Sequence, residues 1–579
     1  MVLNIKKHQK LAQTLANRPI SYLYRYAVNH LLKQVDSDVQ NGDPRPLPTD
    51  LASDCFSYTS NLIKLRNGYI RLMTPKKQKA DDLWRVPTDL APSQIALLLN
   101  HEYHIVLLNL SGINGDSDLD PLAIYQEKGI NKGIYTTDEN DIDSLARQFS
   151  FNISTNAIKE IKAVLRTIVP HVNRNSNPDL IPVNNGIFDY RSKILLPFSP
   201  KLIFIAKSHV NYNEHAKNKN IHNNQDGTDW DVESWMNSLS DDPEIVNVLW
   251  QILGAIIRPN VAWDKSAWLY STRGNNGKGT LCELMRNLCG PGSYAKVSLR
   301  DFSQDFMLEP LTRANAIITD ENDVGTYIDK AANLKAVETG DVITINRKFK
   351  PAIAYQFKGF MVQCLNEFPK VKDRSESFYR RQLFIPMTKN FQGRERKYIK
   401  QEYLHDPEVL EYVLYKLLNT NYYELDIPDA CQDTMNEYKD ANDPIRQFLS
   451  EILPSCVWDL LPFDFLYDLY RAWFIRNVPN GKAISKHAFN SELKDIFTGT
   501  NVSDFTYRGK QEYTGQKMNQ PEMLINTYNL RNWMDPSYSG PDRARRCIPN
   551  TKPRYTGLVR VSNQTNSQTN AKVGTNQAN

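Results

Sequence analysis

Residues 267–285 read AWLYSTRGNNGKGTLCELM: an apolar run, a loop of small and polar residues, a lysine, and then a helix-like segment. Phosphate binding needs this arrangement. Gly274 and Gly277, with Asn275 and Asn276 between them, let successive backbone N–H groups turn inward. The following helix points its positive end at a β-phosphate, and Lys278 reaches the β and γ oxygens. The pattern departs from GxxxxGK[ST] twice. Thr272 stands where the first glycine is usual, and Gly279 follows the lysine, so a Mg²⁺-binding hydroxyl comes from Thr280 or is missing. Taken alone, the stretch also fits a Gly/Asn-rich turn ahead of a core helix.

Three downstream segments favour the phosphate reading. ANAIITDEND (314–323) is an apolar strand ending in Asp320 and Glu321, suited to hold Mg²⁺ and to polarise an attacking water. GFMVQCLNEFP (359–369) ends at Asn366, suited to orient that water. SFYRRQLFIPM (377–387) puts Arg380 and Arg381 just before another apolar strand, where an arginine can reach a neighbouring subunit's γ-phosphate. Two of them have a bland reading: a strand-to-loop junction for the acids, a surface ion pair for the arginines. Their order and spacing after a phosphate loop make the set more specific than any member.

The order GNNGKGT, IITDEN, LKAVETGDVITINRKFK, CLNEFP and YRRQLFIP resembles superfamily 3 helicases, in the branch of phage, plasmid and poxvirus primase-helicases that includes satellite-phage and pathogenicity-island replication initiators. Upstream, PVNNGIFDYRSKILLPFSP (182–200) resembles the domain preceding the motor there. Downstream, FDFLYDLYRAWF and KAISKHAFNSELKDIF (within 463–497) resemble its winged-helix segment. The likeness covers about 160–560 and leaves 1–80 outside. It implies a multidomain α/β chain with an AAA+ P-loop motor, a mixed α+β region before it and a C-terminal winged helix. It also implies a homo-hexamer driven by ATP and Mg²⁺. The carried roles are Lys278 and Thr280 for phosphate and Mg²⁺, Asp320 and Glu321 for metal and water, Asn366 as sensor, and Arg380, ahead of Arg381, as an arginine supplied in trans.

Within GDVITINRKFKPAIAYQFKG (340–359), Arg347, Lys348 and Lys350 surround Phe349 without an acid nearby. The family places a hairpin here that points into a ring channel. A cation and an aromatic at its tip suit a sequence-blind grip on single-stranded DNA; an edge strand kept soluble by its lysines is the plainer alternative. SKHAFNSELKDIF (485–497), with Ser485 as N-cap and Lys486 at its start, reads as the second helix of a helix-turn-helix. PDRARRCIPNTKPRYTGLVRV (541–561) sets Arg543, Arg545, Arg546 and three further cations against the single acid Asp542, a footprint for duplex origin DNA. Protein contacts alone would also explain such a domain.

The bulk numbers set bounds on this reading. A chain of 579 residues exceeds one core. A net charge of +5 is too small to imply nucleic acid by itself. The seven cysteines have no CxxC spacing, which argues for reduced thiols and against a zinc module. No apolar stretch approaches the roughly 20 residues that span a bilayer, so the expectation is a cytoplasmic protein, in a bacterial host cytosol, without a membrane partner. The expected domains are a helical region 1–80, an α+β domain 81–228, the motor 229–400, a helical connector 401–445, a winged helix 446–560 and a disordered tail 561–579. Residues 1–45 read as amphipathic helix, the Asn-rich 211–229 as a linker, and the acidic GDSDLDP (115–121) as an exposed turn rather than a priming centre. Two alternatives stay open: a bifunctional primase-helicase, and a non-motor DNA-binding initiator with a degenerate nucleotide site.

Overall fold

The computed structural model describes residues 5–73, 82–112, 119–328, 330–477, 483–498 and 504–561. It divides into two compact units, Met1–Met435 and Asn436–Asn579. Both mix helices and strands.

The first unit opens with helices α1 (Gln9–Ala16), α2 (Ile20–Gln40) and α3 (Pro48–Met73). The amphipathic run expected over 1–45 is broken between α1 and α2. Pro19 sits extended at the start of α2, where its missing N–H costs nothing; inside one continuous helix it would remove a hydrogen bond and clash with the preceding turn. Helix α4 (Pro92–Glu102), strands β1 (Ile105–Asn109), β2 (Leu122–Tyr125) and β3 (Tyr135–Thr136), helices α5 (Glu139–Phe149) and α6 (Thr155–Ile168), and strand β4 (His171–Asn173) follow. The four strands form a sheet in the order β3-β2-β1-β4. Residues 115–118 of the acidic segment lie outside the described residues. Asp120, however, is buried, with a carboxylate oxygen 3.5 Å from His171, and so is no exposed turn residue.

A meander of β5 (Leu180–Val183), β6 (Gly186–Asp189) and β7 (Ile194–Leu196) comes next. Its first turn is Asn184-Asn185, residues that tolerate the dihedrals of a two-residue hairpin. The stretch 211–229, expected as a linker, is instead an ordered strap. Its end forms the hairpin β8 (Ile221–Asn223) and β9 (Thr228–Trp230). Asn213 donates to Glu411 at 3.0 Å and Lys219 to Asp406 at 2.8 Å, while Tyr212 and Ile221 pack on the large core. The polar composition serves bonds to the protein surface, which composition alone does not distinguish from solvation.

Helices α7 (Val232–Asn237) and α8 (Pro243–Ile257) lead into β10 (Ser266–Tyr270), α9 (Lys278–Cys289), β11 (Tyr294–Ala295), β12 (Ala316–Thr319), β13 (Tyr327–Ile328) and α10 (Ala332–Thr339). A hairpin of β14 (Val342–Arg347) and β15 (Lys350–Gln356) precedes β16 (Phe360–Leu365), β17 (Lys370–Val371), α11 (Glu376–Tyr379) and β18 (Gln382–Pro386). Five of these strands form an all-parallel sheet in the order β11-β12-β16-β10-β18. The chain leaves β10 for one edge, inserts β16 beside β10 on its return, and finishes on the other side. The crevice at the carboxyl ends of β10 and β16 is therefore the switch point where ligands sit in such sheets. The strands are buried along nearly their whole length, which is why they read as unbroken apolar runs. Helix α12 (Lys397–Gln401) and α13 (Pro407–Leu418) complete the core, and α14 (Asp429–Asn442) contains the boundary between the units.

The second unit contains α15 (Pro444–Ile452), β19 (Leu460–Pro462), α16 (Phe463–Asn477), α17 (Lys486–Phe497), β20 (Phe505–Thr506), β21 (Gln511–Tyr513), α18 (Leu524–Thr527), α19 (Arg543–Arg546) and β22 (Arg554–Arg560). β22 pairs with β19, β20 and β21. An aromatic core that includes Trp458, Phe465, Trp473, Phe489 and Trp533 holds it together. Ser485 caps α17 as expected, its hydroxyl accepting from the Ala488 N–H at 3.3 Å. The tail beyond Val561, expected to be disordered, lies outside the described residues.

Candidate active site

The loop between β10 and α9 turns on two left-handed residues, Asn275 (φ 55°) and Gly277 (φ 87°). A side chain at Gly277 would be strained there, and its Cβ would come within 2.7 Å of Leu239. Asn276 is buried and braces the loop from inside: its amide donates to the Arg273 carbonyl at 2.6 Å and its oxygen accepts from the Lys278 N–H at 3.3 Å. From outside, Asn275 accepts from the Phe391 N–H at 2.7 Å and donates to Glu395 at 3.1 Å. Gly274 is open to solvent on its Cβ side, and Gly279 and Thr280 are half-buried in the first turn of α9.

Lys278 is the first residue of α9 and its side chain bridges the switch point. Nζ donates to the Leu365 carbonyl at 2.7 Å, to Asn366 Oδ1 at 2.8 Å and to the Ser271 carbonyl at 3.3 Å. Burial holds this ammonium below the ordinary lysine value. Beneath it, the buried thiols of Cys282 and Cys364 lie 3.3 Å apart. Asn366 itself is exposed on the crevice side.

Asp320 follows β12 directly. Burial opposes its charge, but Arg286 at 3.3 Å and Lys296 at 3.5 Å outweigh burial and hold it below the usual aspartate range. Glu321 beside it is exposed. Neither cation was anticipated from the sequence, since nothing about Arg286 at the far end of α9 or Lys296 after β11 marks them as partners of an acid near position 320. Asn322 was also missed, although it stands inside the quoted motif. It is buried, accepts from the Leu299 N–H at 2.9 Å, and donates to Gln363 at 2.9 Å and to the Cys364 carbonyl at 3.1 Å, so it locks β12 to β16.

The two arginines differ. Arg381 is tied down within its own segment, donating to the Ser377 hydroxyl at 2.8 Å and to the Ser377 carbonyl. Arg380 is exposed, its carbonyl accepts from Lys265 Nζ at 2.8 Å, and its guanidinium makes no hydrogen bond among the described residues.

The hairpin tip is the two-residue turn Lys348-Phe349, flanked by the pair Arg347 and Lys350. Phe349 is 95% exposed with φ 61°, an uncommon conformation for a residue with a side chain, and Lys348 Nζ lies 5.4 Å from its ring centre. The neighbouring cations are occupied: Arg347 donates to the Pro351 carbonyl at 2.9 Å, and Lys350 lies 3.6 Å from Glu139. A second exposed aromatic went unpredicted. Phe306 is 54% exposed with φ 67°, and its neighbour Asp305 accepts from Asn346 of β14 at 3.1 Å. The sequence carries no pattern that marks it.

In the second unit, Lys486 is paired with Asp464 at 2.7 Å. Arg543 is exposed, Arg545 lies over the Tyr538 ring at 4.8 Å, and Arg546 donates to the Gly540 carbonyl at 3.0 Å. Asp542, the one acid in this stretch, caps α19 by accepting from the Ala544 N–H at 2.9 Å.

No helix among the described residues is long and apolar enough to cross a membrane. No curated protein gives a significant match. Among solved structures, the apo C-terminal region of NrS-1 superposes with a TM-score of 0.39 at 14% identity, covering 67% of this chain and 94% of that one. An A-form apo structure of the same region gives 0.39 at 15% identity, covering 72% and 96%. Residues 269–381 match the model of a family of unknown function (DUF5906). Residues 116–241 match the D5 N-terminal-like model, and residues 440–534 match the poxvirus D5 protein-like model. Two D5-type segments thus lie one on each side of the strand, loop and helix at 266–289, and over these two stretches the chain is similar to D5 proteins.

Proposed function

We propose that the chain is an ATP-hydrolysing superfamily 3 DNA helicase of AAA+ type, working as a hexameric ring on single-stranded DNA and recruited to duplex origin DNA by a C-terminal winged helix. One observation carries this reading: Lys278, Asn366 and Asp320 stand at the carboxyl ends of β10, β16 and β12, around the switch point of the parallel sheet. A triphosphate in the 272–278 loop takes the inward N–H groups and the positive end of α9, and Lys278 exchanges its carbonyl partners for phosphate oxygens. Asp320 and Thr280 offer the hard oxygen donors that Mg²⁺ takes beside phosphates, and Arg286 and Lys296 supply the positive charge at Asp320 otherwise. Held by these residues, Mg²⁺ would supply neutralisation of the phosphate charge. Glu321 polarises the water that attacks the γ-phosphorus, Asn366 orients it, and the bond to ADP breaks. Arg380, the uncommitted arginine, meets the charge developing on a neighbour's nucleotide.

Lys348 and Phe349, with Phe306 beside the hairpin, form the grip on DNA: a cation for the backbone and aromatic faces for the bases. ATP hydrolysis by the full chain, measured with and without single-stranded DNA in wild type and Lys278→Ala, tests the reading. Stimulated turnover that Lys278→Ala abolishes supports a motor; a wild type that binds no nucleotide removes it. Ribonucleotide incorporation on a bare template would add priming.

A further inference from the structure

The hairpin is not an independent appendage. Its first strand follows α10 after only Gly340 and Asp341, and that junction is stiff. Gly340 adopts φ 67°, the Asp341 N–H donates to the Ala336 carbonyl at 2.7 Å, and the Thr339 hydroxyl donates to the Asp341 carboxylate at 2.6 Å. A rotation of α10 therefore reaches the hairpin as a rigid movement.

The same helix reaches the arginine-bearing turn. Lys335 of α10 meets Asp373 at 2.6 Å. The other oxygen of Asp373 accepts from the Ser375 hydroxyl at 2.7 Å and from its N–H at 3.1 Å. Ser375 caps α11, accepting from the Phe378 N–H at 3.3 Å, and Arg380 follows that helix directly. A third tie is deeper. Buried Glu338, also on α10, accepts from Ser266 at 2.6 Å and from Gln382 at 3.1 Å, at the roots of β10 and β18. Glu338 is the fixed point of the helix. The Lys335 and Asp373 side chains, 30% and 26% exposed, form the tie that can shift.

We propose that the Lys335–Asp373 pair links the arginine turn to the DNA hairpin, carrying displacement of α11 to α10 and on to Lys348 and Phe349. The inference rests on the motor reading above. Both residues are positioning residues: Arg381 and β18 still hold the turn when the pair is cut, so basal turnover survives while its coupling to DNA does not.

The test compares the full chain with Lys335→Asp, Asp373→Lys and the double exchange, reading ATPase with and without a single-stranded oligonucleotide and unwinding of a forked duplex. Each single variant keeps basal ATPase but loses stimulation by about 3- to 30-fold, the range of a broken coupling tie, together with unwinding. The double exchange restores the ion pair but not the acceptor for Ser375, and so recovers both in part. Asp373→Asn, which keeps an acceptor for Ser375 and removes only the charge, shows the same loss should a charge reversal fail to fold. Single variants and Asp373→Asn that retain full stimulation, or a double exchange no better than its parents, overturn the link. A wild type without any DNA-stimulated turnover overturns the motor reading itself, a separate result.

Discussion

Lys278 Nζ lies 2.8 Å from Asn366 Oδ1, so the phosphate-loop lysine and the residue at the end of β16 already share one bond across the crevice. On the proposed reading, a triphosphate entering the loop would take that lysine and release Asn366 to face the water. Lys278→Ala is expected to abolish both nucleotide binding and turnover. Asn366→Ala is expected to leave nucleotide affinity within about threefold while lowering kcat by about 10²–10³-fold, the cost of a lost oriented polar group in the transition state. Equilibrium binding of a fluorescent nucleotide beside steady-state ATPase separates the two. A parallel loss of affinity and kcat in Asn366→Ala contradicts the division of roles.

Asp320 is held by Arg286 and Lys296, so the Mg²⁺ ion proposed for this site would compete with two cations for it. Thr280 is the remaining oxygen donor in the first turn of α9, because Gly279 follows the lysine. Thr280→Ala is expected to raise the Mg²⁺ concentration at half-maximal ATPase several-fold and to recover at high Mg²⁺, whereas Asp320→Asn does not recover. A Mg²⁺ titration of the three proteins checks this; an unchanged midpoint in Thr280→Ala removes the hydroxyl from the site.

Arg380 and Arg381 are neighbours in sequence with opposite environments, one free in solvent and one bonded to Ser377. If each site borrows its neighbour's arginine, Arg380→Ala lowers turnover by about 10³–10⁵-fold, the worth of such a residue. Mixed with wild type, it depresses activity more steeply than its mole fraction. Arg381→Ala is expected to lower the melting temperature instead. ATPase of mixtures at constant total protein decides it, and a linear decline rules out the shared site.

The central strands and the polar residues that follow them were legible because these strands are buried along nearly their whole length and read as uninterrupted apolar runs. Ala316–Thr319 followed by Asp320 is such a case. What stayed hidden depends on contacts distant in sequence or on backbone dihedrals. The strap at 211–229 looks like a linker because its partners, Asp406 and Glu411, lie almost two hundred residues away. The Lys335–Asp373 tie and the Arg286–Asp320 pair are long-range in the same way. Phe306 carries no neighbouring pattern, and only its positive φ and exposure set it apart. The basic cluster at 347–350 was visible as a cluster, but the sequence could not say that Arg347 and Lys350 are already engaged.

Lys348 and Phe349 form the hairpin turn, while Phe306 lies on a segment bonded to β14 through Asp305 and Asn346. Lys348→Ala is expected to keep basal ATPase and lose unwinding of a forked duplex. Phe306→Ala is expected to weaken single-stranded DNA binding by about 1–3 kcal/mol, the worth of one base–aromatic stack. Fluorescence anisotropy with a labelled oligonucleotide and a strand-displacement assay test the pair; unchanged strand separation in Lys348→Ala removes the hairpin from the DNA path.

Glu338 gives a prediction about pH. Burial pushes its carboxyl up to about 7, against hydrogen bonds from Ser266 and Gln382 that work in the other direction. In the unfolded chain the same group ionises near its ordinary value of 4.5. Between these two values the folded protein binds more protons than the unfolded one, so this group's contribution makes stability fall as pH rises from 4.5 to about 7 and stay level above that. Glu338→Gln carries no such proton, and its amide can donate to Gln382 Oε1, a buried atom without a hydrogen bond. The melting temperature of Glu338→Gln relative to wild type is therefore expected to be higher at pH 8 than at pH 5. Thermal melts across that interval measure the difference, and a constant offset shows that Glu338 does not titrate there.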